Sequence, residues 1–239
     1  MTREARTGHE VEAVAFDMDG VLIDSRSVIE NAWRDVAHRH GRVLAPEEAE
    51  RYVHGRTGAE TVGMLFPEHT DAARAAIWKE VDTVEEEAAY PFVPGADLMT
   101  AKLSRCGVPL ALVTSSWPRK IENALGRRGL LSLFPEQVTR DDVTRGKPHP
   151  DPYLTAARRL NIDPARLLVF EDSVSGVESA VAAGATCVGI GGGELIDAGA
   201  VATAGDFTTL SLAVAGTDVL IEGLDAAIRI VVREVSGHG

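Results

Sequence analysis

Three things are scarce in this sequence, and each scarcity removes a class of function. There are two cysteines, Cys106 and Cys187, far apart and without metal-ligand spacing or the density of a disulfide framework. We read both as reduced thiols in apolar surroundings, which fits a cytoplasmic protein. No apolar run approaches the roughly 20 residues that cross a bilayer, and the stretch MTREARTGHE is charged and lacks the apolar segment of a secretory signal. No membrane role is therefore expected. Positive charge is in deficit: 24 Lys and Arg against 36 Asp and Glu give a net charge of −12. Nucleic acid is gripped through clusters of Lys and Arg, so it is not an expected partner. A small anion is not excluded, because a metal ion or a few local cations can reverse the field inside one cleft.

What is present is enough apolar residue, 45% of 239 positions, for one large domain with a smaller inserted partner; we expect a monomer. Residues 11–17 read as a buried strand. From Ser27 to about Tyr90 the pattern turns helical: Trp33, Val36 and Ala37 recur at helical spacing, as do Ala73, Ile77, Val81 and Val84. This predicts about four helices, with Asp24 and Ser25 as caps at their start and the break Tyr90-Pro91-Phe92-Val93-Pro94-Gly95 at their end. Helices near 96–106, 118–128, 151–160 and 174–183 then alternate with strands at 109–114, 136–139, 166–171 and 185–190. Segments 207–210 and 218–221 read as edge strands, and 224–235 as a last helix. Alternation of this kind predicts an α/β fold, a doubly wound, Rossmann-like parallel sheet. The core takes residues 1–25 and 94–239, and an all-helical cap domain, 26–93, is inserted after the first strand.

In such sheets ligands bind beyond the carboxyl ends of the strands. The first strand ends in Asp17-Met18-Asp19-Gly20, the second in Thr114-Ser115-Ser116, and the fourth in Glu171-Asp172; Lys147 lies in a loop after the third. Each group has a plain structural reading. Asp-x-Asp-Gly occurs in surface turns, Thr-Ser-Ser caps helices, a lone lysine is usually solvated, and Ser175 with Glu178 forms a plausible capping box after the fourth strand. A calcium loop is ruled out by the absence of later ligands at the required spacing. Four such groups at successive strand ends of one sheet are hard to attribute to separate structural accidents.

With these motifs in this order, the sequence resembles the haloacid dehalogenase superfamily, in its phosphatase branch with a helical cap after the first motif. The similarity runs from about Val11 to Gly191. The nearest likeness is to sugar-phosphate and glycerol-phosphate phosphatases, with β-phosphoglucomutases and pseudouridine-phosphate phosphatases as near relatives. The resemblance implies a small phosphorylated metabolite as substrate, Asp17 as nucleophile and Asp19 as proton donor to the leaving oxygen. It implies Mg²⁺ held by an Asp17 oxygen, the Asp19 carbonyl and Asp172, with Glu171 helping directly or through water. Lys147 would offset charge, and Thr114 would donate to a phosphoryl oxygen. Met18, Asp19 and Ser115 would add backbone N–H groups. An aspartate two residues after the nucleophile suits phosphatases and mutases rather than transport ATPases, phosphonatases or dehalogenases.

In the cap, the loop His54-Gly55-Arg56-Thr57 offers Arg56, and less directly His54, to the leaving group; each also has a purely structural reading. Trp117 can line the mouth or pack at a helix start. The mutase pattern carries a histidine early in the first cap helix, where this sequence has Ile29. Hydrolysis is thus the expected activity and a phosphosugar mutase the alternative. A non-enzymatic binding module is the third possibility, and retention of Asp17, Asp19 and Lys147 argues against it.

Overall fold

The computed structural model describes residues 8–53 and 56–232, apart from the side chain of residue 50. The chain opens with two short strands, β1 (Gly8–Val11) and β2 (Ala13–Phe16). Four helices follow: α1 (Arg26–Arg39), α2 (Pro46–Tyr52), α3 (Gly58–Leu65) and α4 (Asp71–Glu87). Then come α5 (Ala96–Arg105), β3 (Leu110–Val113), α6 (Pro118–Ala124), β4 (Glu136–Val138) and α7 (Asp151–Arg159). After these lie β5 (Leu167–Glu171), α8 (Val174–Ala182), β6 (Thr186–Ile190), α9 (Glu194–Asp197) and β7 (Ala202–Ala204). The chain finishes with β8 (Ser211–Ala215), β9 (Asp218–Glu222) and β10 (Ala227–Val231).

The main sheet has the order β4-β3-β2-β5-β6-β7, and every pairing is parallel. Both faces are covered, and the two-residue strand period sorts the side chains. Val14, Phe16, Leu110, Leu112, Leu168 and Phe170 enter one apolar cluster; Ala13, Ala15, Ala111, Val113, Leu167 and Val169 enter the other. Phe16 stacks on Phe170 at 5.1 Å between ring centres. A large apolar side chain buried in this way contributes roughly 1.5–3 kcal/mol, so β2 and its neighbours form a rigid platform. The chain runs from β2 outward to β3 and β4, then crosses back to β5 on the other side of β2, so the strand order reverses beside β2 and the switch point lies at its carboxyl end, where Asp17 follows.

Helices α1–α4 have their own apolar cluster, including Trp33, Val36, Leu65, Ile77 and Val81. Thr57 starts α3 with a capping box: its Oγ1 accepts from Glu60 N, and Glu60 accepts from Thr57 N. The two connections between this helical insert and the sheet run side by side, bridged at Ile23 and Phe92, with Asp24 N donating to Pro91 O at 2.8 Å.

Four local expectations are corrected. The segment read as a helix at 224–235 contains β10, because Ile228 and Ile230 are buried while Arg229 is exposed, a period of two; positions 233–235 lie outside the described residues. Residues 207–210 form no strand, whereas β8 after them does. The strand read at 11–17 is two strands separated at Glu12. Ser173, not Ser175, caps α8, its Oγ accepting from Gly176 N at 3.1 Å. Together β1, β10, β9 and β8 form a second, four-stranded sheet. Its Val219, Ile221, Ile228 and Ile230 extend the first apolar cluster.

Candidate active site

Asp17 follows β2 directly, and its N–H continues the ladder to Phe170 O at 3.0 Å. Its side chain is therefore aimed by the sheet. Lys147 Nζ lies 2.6 Å from Asp17 Oδ1 and 2.5 Å from Glu171 Oε1, and donates to Val113 O at 3.2 Å. Glu171 is fully buried. Its Oε1 also accepts from the Tyr153 hydroxyl at 2.7 Å, while Oε2 accepts from Asp172 N, Ser173 N and Ser173 Oγ. Gly176 makes room for this carboxylate: a Cβ there would fall 2.0 Å from it. Sequence reasoning did not single out Tyr153; its only signal is a phenol on the buried face of α7 beside Ala156 and Ala157.

Asp17, Glu171 and Asp172 offer ligand oxygens within 4.8 Å of one another. Burial, followed by the crowding of neighbouring carboxylates, pushes the proton affinities of Asp17 and Asp172 up, with Lys147 only partly opposing. Three carboxylates around one lysine leave an excess of negative charge, which a hard divalent cation with oxygen ligands would relieve. Gly20 supports the same reading. It sits at φ +82°, and a Cβ there would lie 1.9 Å from Asp172 Oδ2, so only glycine lets the turn after Asp19 pass this oxygen.

The Asp19 side chain turns away from that cluster. Its Oδ2 accepts from Ser116 Oγ at 2.8 Å, and its Oδ1 lies 2.9 Å from Lys120 Nζ, off the direction of a well-formed hydrogen bond. Burial alone would raise its proton affinity. The Lys120 charge beside it and the Ser116 hydroxyl outweigh that, so its carboxyl is held below the ordinary value. Ser25 occupies the N-cap position of α1, as expected, but its side chain makes no capping bond. Lys120 was not anticipated, and Ser116 was named only within the Thr114-Ser115-Ser116 group, with no role of its own. The available signal was a lysine on the buried face of α6, beside Ile121 and Ala124.

The other predicted residues fall as follows. Thr114 is buried at the end of β3, its Oγ1 accepting from Ser116 N at 3.0 Å. Ser115 is exposed beside it. Trp117 is pinned rather than open: its Nε1 donates to Glu86 of α4 at 2.7 Å, and Arg140 covers its ring at 4.8 Å. Arg56 is exposed, its Nε donating to Arg51 O at 3.1 Å, and no described contact joins it to the carboxylates. His54 lies outside the described residues. Both cysteines are free, Cys187 buried and Cys106 half-buried. Among the described residues no helix is long and apolar enough to cross a membrane.

Comparison with known proteins gives concordant results. The family model for haloacid dehalogenase-like hydrolases matches residues 14–190, which leaves out β1 and everything from α9 to β10. Hexitol phosphatase A of Escherichia coli K12 is 36% identical over 179 residues, 73% of this chain and 81% of that protein. Validoxylamine A 7'-phosphate phosphatase of Streptomyces hygroscopicus subsp. limoneus is 36% identical over 178 residues, 73% of this chain and 83% of its own length. Among solved structures, a HAD family hydrolase from Deinococcus radiodurans R1 with bound phosphate and sodium superposes with a TM-score of 0.67. It is 30% identical, and the match covers 81% of this chain and 90% of that one.

Proposed function

This chain belongs to the haloacid dehalogenase-like hydrolases, and from that premise we propose that it is a Mg²⁺-dependent phosphatase. Its substrate on this reading is a small sugar or polyol phosphate, and it acts as a monomer in the cytoplasm. The observation that carries the reading is Asp17: a buried carboxylate at the sheet's switch point, clamped on Oδ1 by Lys147 at 2.6 Å, with Asp19 two residues on. The printed activities of the relatives, on hexitol and validoxylamine phosphates, support the substrate class.

In this mechanism Asp17 attacks phosphorus in line with the leaving oxygen and forms an aspartyl-phosphate. Asp19, which must first take up a proton against the pull of Lys120, gives it to the departing alkoxide, then takes one from the water that attacks the same phosphorus, releasing inorganic phosphate and restoring Asp17. Such proton transfer contributes typically about 10²–10⁴-fold. Lys147 offsets charge on Asp17 and on the phosphoryl group, and Thr114 with the N–H groups of Met18, Asp19 and Ser115 receives the phosphoryl oxygens. Asp17, the Asp19 carbonyl and Asp172 would hold Mg²⁺, which when bound neutralises carboxylates and phosphate together. Both Glu171 oxygens are already engaged, which favours a supporting role for it over direct ligation. The insert, residues 26–93, would act as a cap that excludes water and selects the leaving group. Arg56 could serve it by releasing Arg51 O.

Hydrolysis is favoured over mutase chemistry by Ile29, which packs half-buried on the insert's apolar cluster and offers no acid or base to a sugar hydroxyl. The test is a screen of phosphomonoesters with Mg²⁺. We expect free phosphate from a polyol or sugar phosphate, no isomer retaining its phosphate, loss on chelation with EDTA, and restoration by Mg²⁺ but poorly by Ca²⁺. Full activity in a thoroughly chelated sample would overturn the metal assignment.

A further inference from the structure

We propose that Lys120 is a positioning residue for Asp19, and that the helical insert completes the arrangement through Glu85. The inference rests on the reading of Asp19 as proton donor. Lys120 is 2% exposed. An ammonium is costly to bury unless it is paired on several sides, and this one is. Its Nζ lies 2.9 Å from Asp19 Oδ1 and 3.0 Å from Glu85 Oε2, with the rings of Tyr90 and Trp117 at 5.3 and 5.5 Å. Ser116 holds the other Asp19 oxygen. The carboxylate is thus gripped at both ends by residues of β3's outgoing loop and α6. A proton donor works only when one oxygen faces the departing atom, and small misplacements at such a group are expensive in rate.

A simpler reading makes the triad a rivet between insert and sheet domain. The last turn of α4 is indeed moored on α6, but by other groups as well. Trp117 Nε1 and Arg119 engage Glu86, and Asn123 Nδ2 donates to Ala88 O at 2.7 Å. The Tyr90 hydroxyl fixes Glu85 further, donating to its backbone O at 3.0 Å. A rivet does not need Asp19, and well-packed apolar residues hold two bodies together at least as firmly as a buried ion pair. Extension of the pair to Asp19 is what the rivet leaves unexplained. On our reading the insert contributes a charge that keeps Lys120, and through it Asp19, in one orientation.

The test uses kcat/KM, which reports steps up to departure of the leaving group and so isolates the first proton transfer. The enzyme with Mg²⁺ is assayed on glycerol phosphate, or on the best polyol phosphate from the screen, and on p-nitrophenyl phosphate, whose leaving group needs little protonation. Lys120→Met should lower the alkyl value about 30-fold or more while changing the aryl value less than about threefold. Glu85→Gln, which keeps the size and an acceptor, should show the same contrast at about three- to tenfold. It decides the matter if Lys120→Met does not fold. Equal losses on both esters, or no loss on either in variants that melt like wild type, would overturn the role of Lys120 alone. Absence of turnover by wild type on every ester would overturn the phosphatase reading and this one with it.

Discussion

Lys147 joins Asp17 to Glu171, and Lys120 joins Asp19 to Glu85. Each is a buried lysine between an aspartate that follows β2 and a glutamate from elsewhere. The first group is built wholly from the sheet's strand ends and loops, with Tyr153 and Val113 as further partners. The second straddles two bodies, since Glu85 belongs to the helical insert. The contrast suggests a division of labour. The corner proposed to form and hold the phosphoryl bond is independent of the insert, whereas the corner proposed to move the proton depends on it.

Four perturbations sharpen or break this comparison. The largest effect should come from Asp17→Asn, which removes the proposed nucleophile and should leave no measurable phosphate release while melting near wild type; residual turnover on any phosphomonoester would remove Asp17 from the first corner. Next, Asp19→Asn should lower kcat/KM on alkyl phosphates by about 10² or more, and much less on p-nitrophenyl phosphate. Equal losses would erase the distinction between the corners.

Third, Gly20→Ala should weaken Mg²⁺ binding by about 10–100-fold, the range expected when support of a ligand is lost, since its Cβ would displace Asp172. In the wild type the same calorimetry has a pH signature. Asp17 and Asp172 hold protons more tightly than usual when no cation is bound, so metal binding must release protons, and affinity should be weaker at pH 6 than at pH 8. Proton-independent binding would exclude these two as ligands. The smallest effect is assigned to Arg56→Ala: about tenfold at most on the polyol phosphate, the scale of one hydrogen bond of roughly 0.5–1.5 kcal/mol, and none on acetyl phosphate. Loss on both would move Arg56 to the phosphoryl group, and loss on neither would leave it serving Arg51 O alone.

The first corner was largely legible in the sequence. Asp17, Thr114, Lys147 and Glu171-Asp172 are polar groups placed just after apolar strands or in the connecting loops, and one topological rule gathers them. Of the second only Asp19 was, because Lys120 and Glu85 sit inside helices and meet it only through tertiary packing. Both left faint traces: Lys120 shares a buried helix face with Ile121 and Ala124, and Glu85 continues the stripe of Ile77 and Val81. A charge on an apolar stripe signals a buried partner without naming it. The terminal sheet was read only in part, with 218–221 expected as an edge strand and found as β9 between β10 and β8, and β10 was taken for a helix for a different reason. Ala227–Val231 is rich enough in aliphatic residues to satisfy a helical as well as an alternating pattern over so short a window, and its choice is made by pairing with β1 on one side and β9 on the other.

That pairing has a consequence for how the chain reaches its native state. Gly8 is opposite Ala227 and Val11 opposite Ile230, so β1 gains its ladder partner only after more than 200 further residues have been synthesised. Contacts of such long sequence separation form late, because the loop must close before the pairing is rewarded. A single residue, Glu12, separates β1 from β2, whose end presents Asp17. The parallel main sheet can assemble during synthesis, from β2 outward, but β1, one residue before β2, stays without its ladder partner until β10 arrives. Settling of the segment before Asp17 is in this sense gated by the synthesis of β10, and a chain cut before β10 would carry every residue of the proposed site with β1 unpaired.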